Sequence, residues 1–302
     1  MTQPLDSVQL NFSPAATLVL QCILALVIFG VSLELSFSDF RRLMREPRPI
    51  VAGLLSQLVA LPLLTFALVV VMNPHPSLAL GLMLVAACPG GNTSNILTHW
   101  SGGRTAVSMS LTALSGLISP ITTPLTFQLL GSLHPATQAA MRQVSVPFSE
   151  LLFTIVIALV IPLLVGMTVA EKFPALAKKI YKPLNRFGIG VFILFIVLAS
   201  AANFATFMSM IGVIFVLVFL HNLLALGTGF TLATLFRVDE GARRAITFES
   251  GIHNTALGLT LIFTFFQHLG GMALIAAFWG VWHFATTAPL AWWWAKRPPA
   301  AA

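Results

Sequence analysis

The run LLFTIVIALVIPLLVG at residues 151–166 leaves this chain few ways to fold, because no charge interrupts it and no two-residue alternation appears in it. Comparable stretches recur along the sequence and reach about 20 residues, the length a helix needs to cross a bilayer. Inside hydrocarbon every backbone N–H and C=O must find its partner within the protein, which leaves helices or a closed barrel. Barrel strands alternate apolar and polar side chains over about ten residues, and these runs do not. The 302 residues are 57% hydrophobic and 8% charged, against about 25% charged in a soluble domain. The expected fold class is an all-α polytopic membrane protein, and an ordinary soluble enzyme is excluded.

Nine spans are expected, at about 14–35, 49–72, 78–98, 106–130, 146–169, 186–204, 210–236, 246–267 and 271–294. The loops between them are too short for a soluble domain, so residues 1–302 form one transmembrane unit. Orientation follows from lysine and arginine. Of the 16 such residues, 15 fall after spans 1, 3, 5, 7 and 9, and only Arg142 lies on the other face. The N-terminus is therefore expected outside and the C-terminus in the cytoplasm, with Trp292 to Trp294 in the inner aromatic belt. The opening MTQPLDS lacks the positive region of a cleavable signal, so the first span is expected to stay. This topology accounts for the net charge of +7 without nucleic acid. Cys22 and Cys88 both fall in apolar segments and give neither a disulfide framework nor a structural metal site.

Two spans are interrupted. Residues 88–95 read CPGGNTSN, and residues 248–258 read FESGIHNTALG. Five crossings separate them, so they run in opposite directions. Such a pair of breaks in antiparallel halves is the sequence pointer to an inverted-repeat transporter. Backbone groups freed by a break must line a protein-enclosed cavity. There, unwound carbonyls can hold a cation, and the resuming half-helix offers N–H groups to an anion. Glu249 weighs most, since an ionisable side chain inside a bilayer is costly and functional by default. Glu34 and Glu150 sit near span ends and are expected to be solvated. His221, inside span 7, is expected to be packed and neutral, whereas His75, His99, His134 and His268 belong to loops or interfaces.

With CPGGNTSN, Ser108, Thr112, ISPITTPL and FESGIHN, the chain resembles the bile acid:sodium symporter family, from FGVSLELSFSDF at 29–40 to VWHF at 281–284. The resemblance implies two inverted repeats sorted into a core domain (49–130 and 210–294) and a panel domain (14–35 and 146–204), with the two broken helices crossing. It begins one helix late, as in the nine-span form with an outside N-terminus. The resemblance implies a first sodium site at Ser94, Asn95, Ser108, Thr112 and Glu249, all oxygen donors. Ser108 and Thr112, four apart, share one helix face. A second site would use Gln57, Glu249, the carbonyls of Ser250 and Ile252, and His253. There the sequence departs from the family pattern, which has glutamine at His253. Imidazole offers only nitrogen, a ligand better suited to transition metals than to sodium. The second site is then lost, weakened, or replaced by a protonated His253, and coupling to a single Na+ is expected.

Family substrate contacts map to Asn92, Asn254 and His283, with Phe284 replacing a polar residue. The implied function is sodium-coupled symport of an organic anion by alternating access. The anion would be a bile acid, a sulfated steroid or a small carboxylate such as pantoate. The alternative is a proton-coupled carrier or cation/proton antiporter built on Glu249 and His253. No covalent chemistry, nucleic-acid partner or obligate protein partner is expected. The lipid bilayer is the expected surrounding, and the short loops suit a bacterial inner membrane.

Overall fold

The computed structural model describes residues 14–33, 46–144, 146–202 and 204–297; Glu34, Arg41, Arg42 and Arg45 lie outside them. Among the described residues every regular element is a helix, as hydrocarbon surroundings demand. In chain order these are α1 (Pro14–Ser32), α2 (Pro47–Met72), α3 (Pro76–Ala87), α4 (Thr93–Trp100), α5 (Thr105–Leu133) and α6 (Pro135–Val144). They continue as α7 (Phe148–Lys172), α8 (Pro174–Ala202), α9 (Phe204–Leu235), α10 (Glu240–Gly251), α11 (Thr255–Phe265) and α12 (Gly270–Ala295). Five of them are long and apolar enough to cross a bilayer unaided: α2, α5, α7, residues Met208–Leu235 of α9, and α12. The pairs α3/α4 and α10/α11 are the two interrupted spans, each made of short helices on either side of a break.

Helices α8, α9 and α10 all begin before their expected spans, α9 at Phe204 rather than near 210. Helix α8 begins at Pro174 rather than near 186. Its first turns carry Lys178, Lys179 and Lys182, so hydropathy shows the embedded part of the helix and not the solvated part. Helix α10 begins at Glu240, where the Asp239 side chain accepts the Ala242 N–H at 2.9 Å as an N-cap. The segment after GSLHP, expected as a loop, is the short polar-rich helix α6.

Proline shapes α2 and α7. Pro62 and Pro162 each follow a five-residue π turn, Ser56–Ala60 and Val156–Val160. A proline inside a helix lacks its N–H and crowds the carbonyl of the preceding turn, and a π bulge is one way to absorb that. The bulge in α2 holds Ser56 and Gln57 in the interior.

Helices α1, α7 and α8 pack on one another, and Gly166 lets α7 approach Phe29 and Ser32 of α1 closely. The remaining long helices surround the two breaks, with α3 and α12 in the buried centre. On the face that holds most of the basic residues, Arg104 bridges Glu46 and Asp239, both at 2.8 Å. Arg244, only 3% exposed, donates to the carbonyls of Ser101, Trp294 and Arg297 at 2.5–3.1 Å. It thereby ties the ends of α4, α10 and α12 together, a favourable use of a cation at helix C-termini. Lys296 and Arg297 lie over the rings of Trp292 and Trp293.

Candidate functional site

The two breaks meet. Gly90 and His253 form an isolated antiparallel bridge. The Gly91 N–H donates to the Ile252 carbonyl at 2.7 Å, and the Asn254 N–H donates to the Pro89 carbonyl at 2.9 Å. Backbone groups that unwinding would leave bare in hydrocarbon thus satisfy one another across the crossing. The approach requires glycine. A Cβ on Gly90 would collide with the Glu249 carboxylate, and one on Gly91 would come within 2.9 Å of the His253 carbonyl oxygen.

Beside this crossing the Glu249 carboxylate is fully buried and takes three hydroxyl donors. Ser94 and Ser108 donate to Oε2, the latter at 2.9 Å, and Thr112 donates to Oε1 at 2.7 Å. The Asn95 Oδ1 lies 3.4 Å from the Thr112 hydroxyl. Three helices supply these groups: Ser94 and Asn95 from the first turn of α4, Ser108 and Thr112 from successive turns of α5, and Glu249 from the last turn of α10. The five residues expected at the first sodium site therefore form one buried cluster of oxygen donors. Such a set suits a hard cation with a single charge to balance. Hydroxyls that now point their protons at the carboxylate present lone pairs to a cation after rotation about one bond.

The second expected set is less complete. Gln57 is buried in the π turn, and its Oε1 and Nε2 have no hydrogen-bond partner among the described residues. Ser250 shares a 2.5 Å hydrogen bond with Ser56, and the Ile252 carbonyl already accepts the Gly91 N–H. His253 is held by its Nδ1, 2.9 Å from the Cys88 carbonyl. A carbonyl can only accept, so Nδ1 carries a proton, and Nε2 is bare of any hydrogen-bond partner among the described residues. The ring packs edge-on to Trp279 at 5.5 Å.

Asn92 and Asn254 stand at the N-caps of α4 and α11, and Asn254 caps by accepting the Leu257 N–H at 3.0 Å. Both line a narrow cleft with Thr112 and Gly90, walled by Ile28 and Ser32 of α1 and Leu159 and Leu163 of α7. Its volume is about 20 Å³, room for about one water. A second cavity, of about 500 Å³, opens on the other side of the oxygen cluster, lined by Asn95, Ile96, His99, Thr105, Met109 and Tyr181. His283 and Phe284 do not line the cleft. His283 is buried with Nδ1 bonded to the Trp279 carbonyl at 3.0 Å, and Phe284 is 41% exposed on α12.

Some contributors escape sequence reasoning. Ser56 and Asn222 brace the second break, Asn222 by donating to the Gly251 carbonyl at 3.0 Å. His221 is neutral: Trp279 donates to its Nδ1, and its Nε2–H meets the Thr65 hydroxyl, whose own proton goes to Leu61. Glu150 is exposed, as expected. For Arg244 the signal was present as the helical spacing of Glu240 and Arg244, an ion pair of 2.9 Å.

Comparison with known proteins gives matches over most of the chain. The profile of the Sodium Bile acid symporter family matches residues 21–210. A Bacillus subtilis (strain 168) protein described as the uncharacterized sodium-dependent transporter YocS is 30% identical over 277 residues, covering 91% of this chain and 82% of its own. The rice probable sodium/metabolite cotransporter BASS2, chloroplastic, is 31% identical over 85% of this chain and 62% of its own. The human ileal sodium/bile acid cotransporter is 29% identical over 81% and 68%.

Proposed function

Because the chain belongs to the Sodium Bile acid symporter family, a family of transporters and not of enzymes, we propose that it carries an organic anion across the membrane together with Na+. The observation that supports this most directly is the convergence of Ser94, Ser108 and Thr112 on Glu249 beside the crossing. Asn95 completes the five-residue sodium site. Bound there, Na+ replaces the protons of three hydroxyls as the partner of the carboxylate. Two of the side chains that it orders, Ser94 and Asn95, lie in the first turn of the half-helix that starts at Thr93, where N–H groups favour an anionic head group.

Helices α1, α7 and α8 act as the panel, and the inverted-repeat core carries the crossing. The larger cavity lies on the basic face, taken as cytoplasmic, and the narrow cleft on the outer side. This arrangement is the inward-open member of an alternating-access pair. An organic anion has no room in a 20 Å³ cleft, so outward opening needs α1 and α7 to move away from Asn92 and Asn254. The anion is a bile acid, a sulfated steroid or a small carboxylate such as pantoate, and the setting is a bacterial inner membrane.

One Na+ is transported per cycle at the Glu249 cluster, because the second set presents a nitrogen and a carbonyl already engaged. The test is uptake of bile acid, sulfated steroid and pantoate into proteoliposomes under an imposed sodium gradient, with Glu249→Ala as control. Sodium-driven accumulation with a Hill coefficient near one is expected. A coefficient clearly above one overturns the single-ion reading. The bare Nε2 of His253 favours one other reading, a proton-coupled carrier. Accumulation without sodium under a pH gradient would establish that reading instead.

A further inference from the structure

Helices α2 and α9 pack on each other, with Thr65 meeting His221 at 2.8 Å, but their seam stays open at the surface. Between them runs an apolar groove of about 570 Å³, walled by Ala60, Leu64 and Leu68 on one side and by Leu224, Gly227 and Leu232 on the other. Its lips are exposed at Leu64 and Leu223. From Leu220 to Leu232 it follows α9 for about 18 Å at 1.5 Å per residue, close to the depth of one bilayer leaflet. Gly227 faces open space, since a Cβ there would meet nothing within 4 Å. The two threonines on this face do not make the groove polar. Thr228 returns its hydroxyl to Leu224 of its own helix at 2.5 Å.

Two arginines lie beyond the basic-face end of the groove, one on each helix. Arg48 begins α2; counting the extra residue of the π turn, it lies about three helical turns from Ala60 and on the same face. Arg237 closes α9. The Val238 N–H returns to the Ala233 carbonyl at 3.2 Å and the Arg237 N–H to the Thr234 carbonyl at 3.0 Å, a Schellman motif whose left-handed position is normally glycine. Here Arg237 occupies it, with φ 52°. A long charged side chain held in a conformation that glycine adopts without cost points to a use for that side chain. Both arginines are exposed. Among the described residues neither joins the ion pairs of this face, which belong to Arg104, Arg243 and Arg244.

We propose that the α2–α9 groove binds one phospholipid with an anionic head group, its acyl chain in the groove and its phosphate at Arg48 and Arg237. Arginines at the cytoplasmic mouth of a cleft between membrane helices are the recurring setting for such head groups, and the guanidinium fork matches phosphate geometry. Ala60, on the groove wall, is also the last residue of the π turn that holds Gln57. The lipid therefore braces α2 where it faces the crossing.

The test uses the full chain, purified in neutral detergent and offered phosphatidylglycerol or phosphatidylcholine. Bound lipid is counted by native mass spectrometry and stability by melting temperature. One retained phosphatidylglycerol is expected, held several-fold better than phosphatidylcholine and raising the melting temperature more. Gly227→Leu, which fills the groove, should lose the lipid. Arg237→Gly should keep or raise the melting temperature in detergent alone, because glycine relieves the backbone, while losing the preference for phosphatidylglycerol. Equal retention of both lipids by the wild-type protein would overturn the proposal. So would undiminished phosphatidylglycerol binding by Gly227→Leu, or a dimer that this substitution splits.

Discussion

A methyl group on Gly90 has nowhere to go except into the Glu249 carboxylate. Gly90→Ala is therefore expected to push Glu249 off its hydroxyl donors and to abolish the sodium-specific rise in melting temperature, read in NaCl against KCl at constant ionic strength. Ligand binding raises stability as RT ln(1 + [L]/Kd), so the loss is visible even where the variant folds normally in KCl. A sodium response equal to that of the wild type would show that the carboxylate does not depend on this close approach. Residue type alone singled out Glu249, an ionisable side chain inside an apolar span; Ser94, Asn95, Ser108 and Thr112 were named through the family resemblance. The glycine's reason was not legible, since it depends on a side chain 159 positions away. The bare Nε2 of His253 was equally hidden, because the Cys88 carbonyl that takes the other nitrogen's proton is 165 residues distant.

At the scale of the helix, the π turn of α2 is set by Pro62 and decides which way Gln57 points. Replacing Pro62 by alanine restores an N–H for the carbonyl one turn back, which lets an ordinary α turn close and rotates Ser56 and Gln57 by about 100°. The 2.5 Å contact of Ser56 with Ser250 is then broken. Pro62→Ala is expected to weaken sodium binding by about tenfold, the usual effect of losing a second-layer partner, with the helix content in circular dichroism unchanged. An unaltered sodium titration would count against any role for this turn. The breaks themselves were legible, since CPGG cannot continue a helix without loss and Gly251 marks the end of α10. The π turns were not: a hydrophobic run has the same composition whether its hydrogen bonds span four residues or five. Helix α6 and the long start of α8 were missed for a related reason, as hydropathy reports what lipid touches and not where helical hydrogen bonding begins.

Across the whole molecule, the oxygen cluster lies between a closed cleft and an open cavity, and that polarity can be read chemically. In a chain with Cys22 and Cys88 replaced, a cysteine at Met109 should react with a membrane-impermeant thiol reagent from the cytoplasmic side. A cysteine at Leu163 should not. Reaction from the outside at Met109 would reverse the assigned orientation. The basic face is held by Glu46, Arg104 and Asp239, and this lock has a pH signature. Burial alone would raise the Asp239 carboxyl, but the Ala242 amide and the Arg104 guanidinium outweigh it and hold the group below its ordinary value. Its contribution is therefore complete above about pH 4 and is lost as pH falls through the lowered folded-state value. The melting temperature should drop on acidification in the wild-type protein, and Asp239→Asn should start lower and lack that part of the drop.

The backbone pairing of the two breaks also imposes an order on biogenesis. Synthesis delivers Cys88 to Asn95 long before the strand-like segment at Ile252 to Asn254 that answers them. A nascent chain stopped short of α10 would hold unpaired amides, carbonyls and hydroxyls at the membrane's centre, a state that insertion machinery and membrane proteases can recognise. Truncation anywhere before residue 254 is thus expected to yield a degraded fragment and no stable half-transporter.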